Sequence, residues 1–151
     1  MDLHNPYVLR DAAKIKRYCM GGHAVVTLYS PTGVYYSYSV EKPHKIDKDE
    51  FESSVRFIYF QDHKNGNWIY IGELLNNGKI FRRTRASRVP VDSLPYKGAL
   101  FLVKMMNMNF ATPMILKHDG FCSVCGKALS DEKAMESGMH RHCYNMMKHG
   151  S

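Results

Sequence analysis

Two short stretches constrain this chain more than any other: Phe121-Cys122-Ser123-Val124-Cys125-Gly126 and His140-Arg141-His142-Cys143-Tyr144. Cys-x2-Cys followed by His-x2-Cys is the spacing of a four-ligand zinc site. Two residues between thiolates, then a glycine, let the backbone curl round one ion with both sulfurs inward. His140 and Cys143 are three apart and share one face of a helical turn. The 17 residues between Cys125 and Cys143 suit a short hairpin that returns the chain. Residues 144–149 can then continue the helix. Knuckle, hairpin and ligand-bearing helix together make a treble-clef-like module. The spacing implies no open coordination position, so the expected ion is a structural Zn2+.

Three histidines compete for the fourth place. His140 fits the x2 spacing, His118 lies four residues before Cys122, and His142 adjoins Cys143. The segment holds few large apolar residues, and metal binding substitutes for a core in small modules. Cys19 stands apart and reads as a buried, inert thiol.

The rest of the chain is long enough for one packed domain beside such a module. We expect a β-rich core domain over residues 1–110 and a zinc-binding module over 111–151. Residues 8–18 read as an amphipathic helix whose face is Val8, Ala12, Ile15 and Cys19, stopped by Gly21-Gly22. His23 to Ser30 and Val34 to Val40 alternate in polarity around Pro31-Thr32-Gly33, the pattern of a hairpin. The polar stretch 41–50 is a loop. Strands are expected over Val55–Phe60, Trp68–Leu74 and Lys79–Thr84, with turns at 62–67 and Asn76-Asn77-Gly78. Strand after strand with short turns describes an antiparallel meander of about five strands. Its buried face needs a lid, and Leu94–Met108 offers one, with Ala99, Leu102, Val103 and Met106 as an apolar stripe. The predicted class is α+β.

The net charge of +7 is concentrated. Residues 51–110 carry nine basic and four acidic side chains, against seven and six in residues 1–50. Lys79, Arg82, Arg83, Arg85 and Arg88 cluster with no acid between Glu73 and Asp92. Such a block is an electrostatic footprint for a polyanion. Tyr35, Tyr36, Tyr38, Phe57, Tyr59, Trp68 and Tyr70 make the expected sheet aromatic, and aromatics beside arginines stack unpaired bases. Tyr36 and Tyr38 are the candidate stacking residues. No phosphate-cradling glycine loop, Ser-His-Asp pattern or deaminase signature is present, so a non-enzymatic role is expected. No apolar run approaches the ~20 residues that span a bilayer, and the N-terminus carries no signal peptide. With three ligand-like cysteines, the expected compartment is the reducing cytoplasm.

A wider resemblance rests on three stretches. These are Ala24-Val25-Val26-Thr27-Leu28-Tyr29-Ser30-Pro31-Thr32-Gly33-Val34-Tyr35-Tyr36-Ser37-Tyr38-Ser39-Val40, then Trp68-Ile69-Tyr70-Ile71-Gly72, then Phe81-Arg82-Arg83-Thr84-Arg85-Ala86-Ser87-Arg88-Val89. With Cys122-x2-Cys125-Gly126-x2-Leu129-Ser130-Asp131, Gly138 and Cys143, the chain resembles a group of small phage- and prophage-encoded proteins of unknown function. In that group Gly-x-Gly-Pro-x-Cys often precedes the last cysteine, where this chain has Gly138-Met139-His140-Arg141-His142-Cys143; the difference keeps His118 in contention. The resemblance implies a phage-encoded protein acting in a bacterial host cell. Two functions are then expected: a nucleic-acid-binding accessory protein, DNA or RNA, or a protein-binding modulator of a host enzyme or defence system.

Overall fold

The computed structural model describes residues 5–43 and 55–150; most of the expected loop at 41–50 lies outside them. The strands are β1 (Val8–Leu9), β2 (His23–Tyr29), β3 (Tyr35–Glu41), β4 (Arg56–Gln61), β5 (Trp68–Leu75), β6 (Ile80–Arg82) and β7 (Ile115–His118). They form one sheet in the order β1-β7-β2-β3-β4-β5-β6, with every neighbouring pair antiparallel. Four helices accompany it: α1 (Ala12–Cys19), α2 (Leu94–Asn107), α3 (Glu132–Ser137) and α4 (Arg141–Gly150). The α+β class and the meander β2 to β6 agree with expectation.

Alternation decides which face is buried. Ala24, Val26 and Leu28 of β2 lie opposite Val40, Tyr38 and Tyr36 of β3. They pack with Ile58, Leu74 and Leu116 under Ile15 and Tyr18 of α1 and Ala99, Leu102 and Met106 of α2. Burying each large aliphatic chain is worth about 1.5–3 kcal/mol, so this face and its two helices hold the domain together. Ser93 caps α2 by accepting from the Tyr96 N–H, and Pro95 sits in the first turn, where its missing N–H costs nothing. Tyr38 is fully buried, and its hydroxyl donates to the Pro95 carbonyl at 2.7 Å. Of the expected α2 stripe, Ala99, Leu102 and Met106 are buried and Val103 is half-buried; Tyr96 and Met105 complete the face.

Three expectations are corrected. The first helix does not start at Val8: Val8 and Leu9 pair with Lys117 and Leu116, and the helix begins only after Asp11, which caps it by accepting from the Lys14 N–H. Residues 115–118, placed by sequence in the zinc module, are a strand of the sheet between β1 and β2. The arginine block is not one strand. Strand β6 ends at Arg82, the Thr84 N–H turns to Ser87 Oγ at 3.0 Å, and the Arg88 N–H reaches the Tyr70 carbonyl at 3.0 Å. Among the described residues no helix is long and apolar enough to cross a membrane.

Candidate metal centre and open sheet face

The chain leaves β7 into a knuckle. Phe121 bridges Ala128, the Cys122 N–H donates to the Lys127 carbonyl at 2.8 Å, and the Gly126 N–H donates to the Cys122 carbonyl at 2.9 Å. Gly126 adopts φ 78°, the left-handed conformation that closes this turn. The expected return hairpin is instead the short helix α3, capped by Asp131 accepting from the Ala134 N–H at 2.8 Å. A left-handed Gly138 ends it and redirects the chain to His140, just before α4, and Cys143, in its first turn.

These elements bring four donors together. The sulfurs of Cys122, Cys125 and Cys143 and one ring nitrogen of His140 all lie within 4.8 Å of one another. A tetrahedral site with bonds of about 2.0–2.3 Å separates its ligands by roughly 3.6–3.8 Å. Cys125 Sγ and His140 Nδ1, at 3.3 Å, are slightly closer than such an edge. His140 Nε2 lies 3.2 Å from the Ala128 carbonyl. An N–H on Nε2 donating there leaves the Nδ1 lone pair facing the sulfurs, the supporting arrangement usual for a ligating imidazole. Three sulfurs and an imidazole thus form a cluster suited to a metal ion.

Protonation of the sulfurs follows from their crowding. Burial pushes the Cys122 thiol up, but backbone N–H groups around it outweigh burial and bring it down to about 7. Burial, then the neighbouring Cys122 and Cys125 sulfurs, push Cys143 up to about 12. Three adjacent thiolates repel, and a divalent cation removes that cost. Cys19 is buried and far from this chemistry in kind; its thiol is pushed up to about 12 by burial alone.

The other two histidines do not join the cluster. His118 is buried beneath α3: its Nδ1 accepts from the Gly120 N–H at 3.0 Å and its Nε2 faces the Met135 carbonyl. Nε2 thus ties β7 to α3, while Nδ1 holds the turn that leaves β7. Burial, acting most strongly, lowers its pKa. His142 is exposed on α4 and contributes no donor.

The knuckle is docked on the sheet domain. The His23 N–H donates to the Ser123 carbonyl at 2.7 Å. The Tyr18 hydroxyl lies 3.2 Å from the Phe121 carbonyl and 3.1 Å from Asp119 Oδ1. The Arg17 guanidinium sits 4.7 Å above the Tyr144 ring. The metal cluster is thus fastened to the α1–β2 corner.

The basic residues are dispersed. Arg82 lies opposite Glu73 and pairs with its carboxylate at 2.6 Å. Arg83 turns toward α2, 5.8 Å from the Tyr96 ring. Lys79 follows the β5–β6 turn near Lys16, whose ammonium is disfavoured by burial and then by Lys79. Arg85 and Arg88 are exposed, and no carboxylate among the described residues pairs with either. Tyr36 and Tyr38 point to the lid: Tyr38 is core and Tyr36 packs edge-on against Phe60. Buried Tyr38 offers no ring face to a base, a correction of the sequence expectation, and Tyr36 is half-buried on the lid side.

A different aromatic set occupies the other face of the sheet, on which neither α1 nor α2 packs. Register places Tyr29, Tyr35, Phe57, Tyr59, Trp68 and Tyr70 there, with Thr27, Ser37 and Ser39 between them. A register shift after Ile58 sets Tyr59 opposite Tyr70. Phe57 and Tyr59 meet Tyr70 edge-on at 5.8 and 5.6 Å, and Tyr35 meets Tyr29 at 5.6 Å. Tyr35 and Trp68 are 46% and 41% exposed, far above the core tyrosines. Lys117 joins the face, its ammonium 5.2 Å from the Tyr29 ring. Tyr29 and Lys117 were missed from sequence; the phase of β2 pointed to Tyr29, whereas Lys117 required β7.

Comparisons of the chain with protein-family profiles, curated proteins and solved structures returned no match.

Proposed function

We propose that this chain is a non-enzymatic protein that binds single-stranded nucleic acid on the open face of its sheet, braced by a structural zinc ion at Cys122, Cys125, His140 and Cys143. The observation that carries the reading is Tyr35, Tyr59, Tyr70 and Trp68 on the sheet face that neither α1 nor α2 covers, joined there by Lys117 and Arg82, while Arg85 and Arg88 are exposed on the segment after β6. Rings on a sheet stack bases regardless of sequence, and cations at the margin hold the phosphates. Three sulfurs and one imidazole favour zinc over harder cations and leave no place for a substrate. The setting that suits the sequence resemblance is a phage-encoded protein acting on nucleic acid inside a bacterial cell.

The test is a fluorescence-anisotropy titration of the full chain with single-stranded and duplex oligonucleotides at two salt concentrations. Single strands are expected to bind more tightly, with affinity falling as salt rises. Trp68→Ala should weaken binding about 5–150-fold, the equivalent of the ~1–3 kcal/mol lost per stacked base. Replacing Arg85 and Arg88 with alanine should flatten the salt slope by about 0.7 for each phosphate no longer neutralised. Equal affinity of these variants and the parent would overturn the reading.

The Arg82–Glu73 pair supports a second reading, because a face of mixed sign suits a protein partner. That partner would be a host enzyme or defence protein that the chain modulates. Capture of a protein that survives nuclease treatment and is lost in Trp68→Ala, with no oligonucleotide bound, would favour it.

A further inference from the structure

The helical lid leaves a gap at one edge of the sheet. Helix α1 begins at Ala12 and α2 ends at Asn107, and the chain linking α2 to β7 passes round the gap. A cleft of about 470 Å³ lies there, beside β1 and β7. That is in the lower part of the ~300–1,000 Å³ range of small-molecule pockets. Leu9, Ile15, Met105, Met108, Phe110 and Met114 form its apolar wall. Leu9, Ile15 and Met105 are core residues, so the floor is fixed, whereas Met108 is 51% exposed at the mouth. Three of the six are methionines, unbranched side chains that adjust to a flexible guest.

The polar side chains of the cleft favour one kind of head group. Asn109 Oδ1 accepts from the Ala12 N–H at 2.7 Å, and Thr112 Oγ1 accepts from the Met114 N–H at 3.1 Å. The Asn109 amino group and the Thr112 O–H are left as donors with no partner among the described residues. Lys104 stands over the Phe110 ring, its ammonium 4.5 Å from the ring centre, and no carboxylate among the described residues pairs with it. Arg10 also lines the cleft but is already engaged. No Asp or Glu lines it. Donors and positive charge with no acid among them suit a guest that accepts hydrogen bonds and carries negative charge.

We propose that the cleft binds an unbranched aliphatic carboxylate of medium length, a fatty acid whose chain lies along the methionine wall and whose carboxylate meets Asn109, Thr112 and the field of Lys104. The site is independent of the nucleic-acid reading. Leu9 and Ile15 belong to the core beneath the lid, so the cleft lies behind the sheet from the aromatic face.

Isothermal titration calorimetry of the full chain with hexanoate, octanoate, decanoate and decanol tests this. Decanoate should bind about tenfold or more tightly than hexanoate, since each methylene buried is worth up to about fourfold. Decanol should bind about tenfold more weakly than decanoate, for want of charge-assisted hydrogen bonds. Lys104→Gln combined with Thr112→Val should remove that difference. In methionine-methyl-labelled protein, decanoate should shift the NMR signals of Met105, Met108 and Met114 and leave Met139, buried in the metal module, unmoved. Ala111→Trp, which fills the cleft from an exposed position, should abolish binding, and the same spectrum reports whether that variant is folded. Affinity that does not rise with chain length, decanol bound as tightly as decanoate, or a decanoate complex that leaves the three cleft methionines unshifted overturns the proposal. So does an acidic peptide with a leucine anchor that binds where decanoate does not, which would assign the cleft to a protein partner.

Discussion

Gly21→Ala probes how firmly the metal knuckle is seated on the sheet domain. Gly21 does not adopt a left-handed backbone, so alanine there meets no conformational penalty of its own. The effect comes from steric overlap alone. An added Cβ would lie 2.3 Å from Ser123 Oγ, 2.6 Å from its carbonyl oxygen and 2.8 Å from its carbonyl carbon. The hydroxyl can rotate away. The carbonyl cannot move independently, because it accepts from the His23 N–H at 2.7 Å, while the Ser123 N–H donates to the Gly138 carbonyl at 3.2 Å. Overpacking of this kind costs about 1–3 kcal/mol, and weakening one buried hydrogen bond adds about 0.5–1.5 kcal/mol. At about 2–4 °C per kcal/mol for a chain of this size, the melting temperature should fall by roughly 3–18 °C. Thermal melts followed by circular dichroism, with zinc and after chelation, make the measurement. Chelation frees the knuckle to shift, so the gap between variant and parent should narrow without metal. Gly33→Ala is the control: nothing lies within 4 Å of its Cβ position, and its φ of +92° leaves only backbone strain, worth about 1–2 kcal/mol. A zinc-loaded Gly21→Ala protein that melts within about 2 °C of the parent would refute the seating.

Further outcomes follow from the same geometry. Metal analysis of purified protein should find one zinc ion per chain, and His140→Ala or Cys125→Ser should weaken zinc binding by more than the ~10–100-fold typical of losing a supporting hydrogen bond. His118→Ala should keep its zinc and instead lose about 1–3 kcal/mol of stability in urea titration, the cost of orphaning buried backbone groups. Stability should also depend on pH through His118. Its folded pKa is lowered, so the unfolded chain binds the extra proton; the contribution is full above the ordinary imidazole range and declines as pH falls through it, by at most about 1.4 kcal/mol per unit. Urea titrations from neutral to mildly acidic pH, compared between the parent and His118→Gln, isolate this contribution. Parallel curves for the two would count against it.

The cluster of three cysteines and a histidine was legible because its information is local. Cys122 and Cys125 are paired by a two-residue turn, and His140 and Cys143 by a helical turn, so spacing alone selects the chemistry. The choice of His140 over His118 was not local. It depends on β7 carrying His118 under α3, where Gly120 and Met135 occupy both its ring nitrogens. Strand β7 itself was hidden in four residues whose meaning comes from partners nearly ninety positions earlier, as in the pairing of Leu116 with Leu28.

The lid face shows the same division. Alternation in β2 and a helical stripe in α2 are written within single elements, and they identified the meander and its cover. Which tyrosines lie beneath that cover depends on register: Tyr38 falls opposite Val26 and is buried, while Tyr35 falls opposite Tyr29 and stays open. The arginine row likewise broke where the chain leaves β5 after Arg82, leaving Arg82 against Glu73, Arg85 in a turn and the Arg88 N–H back on the Tyr70 carbonyl. Ligand spacing and polarity period are short-range properties that a few consecutive residues specify. Strand ends, the phase of a face and the pairing of charges arise from contacts between residues far apart in the chain, and they exist only once it has folded.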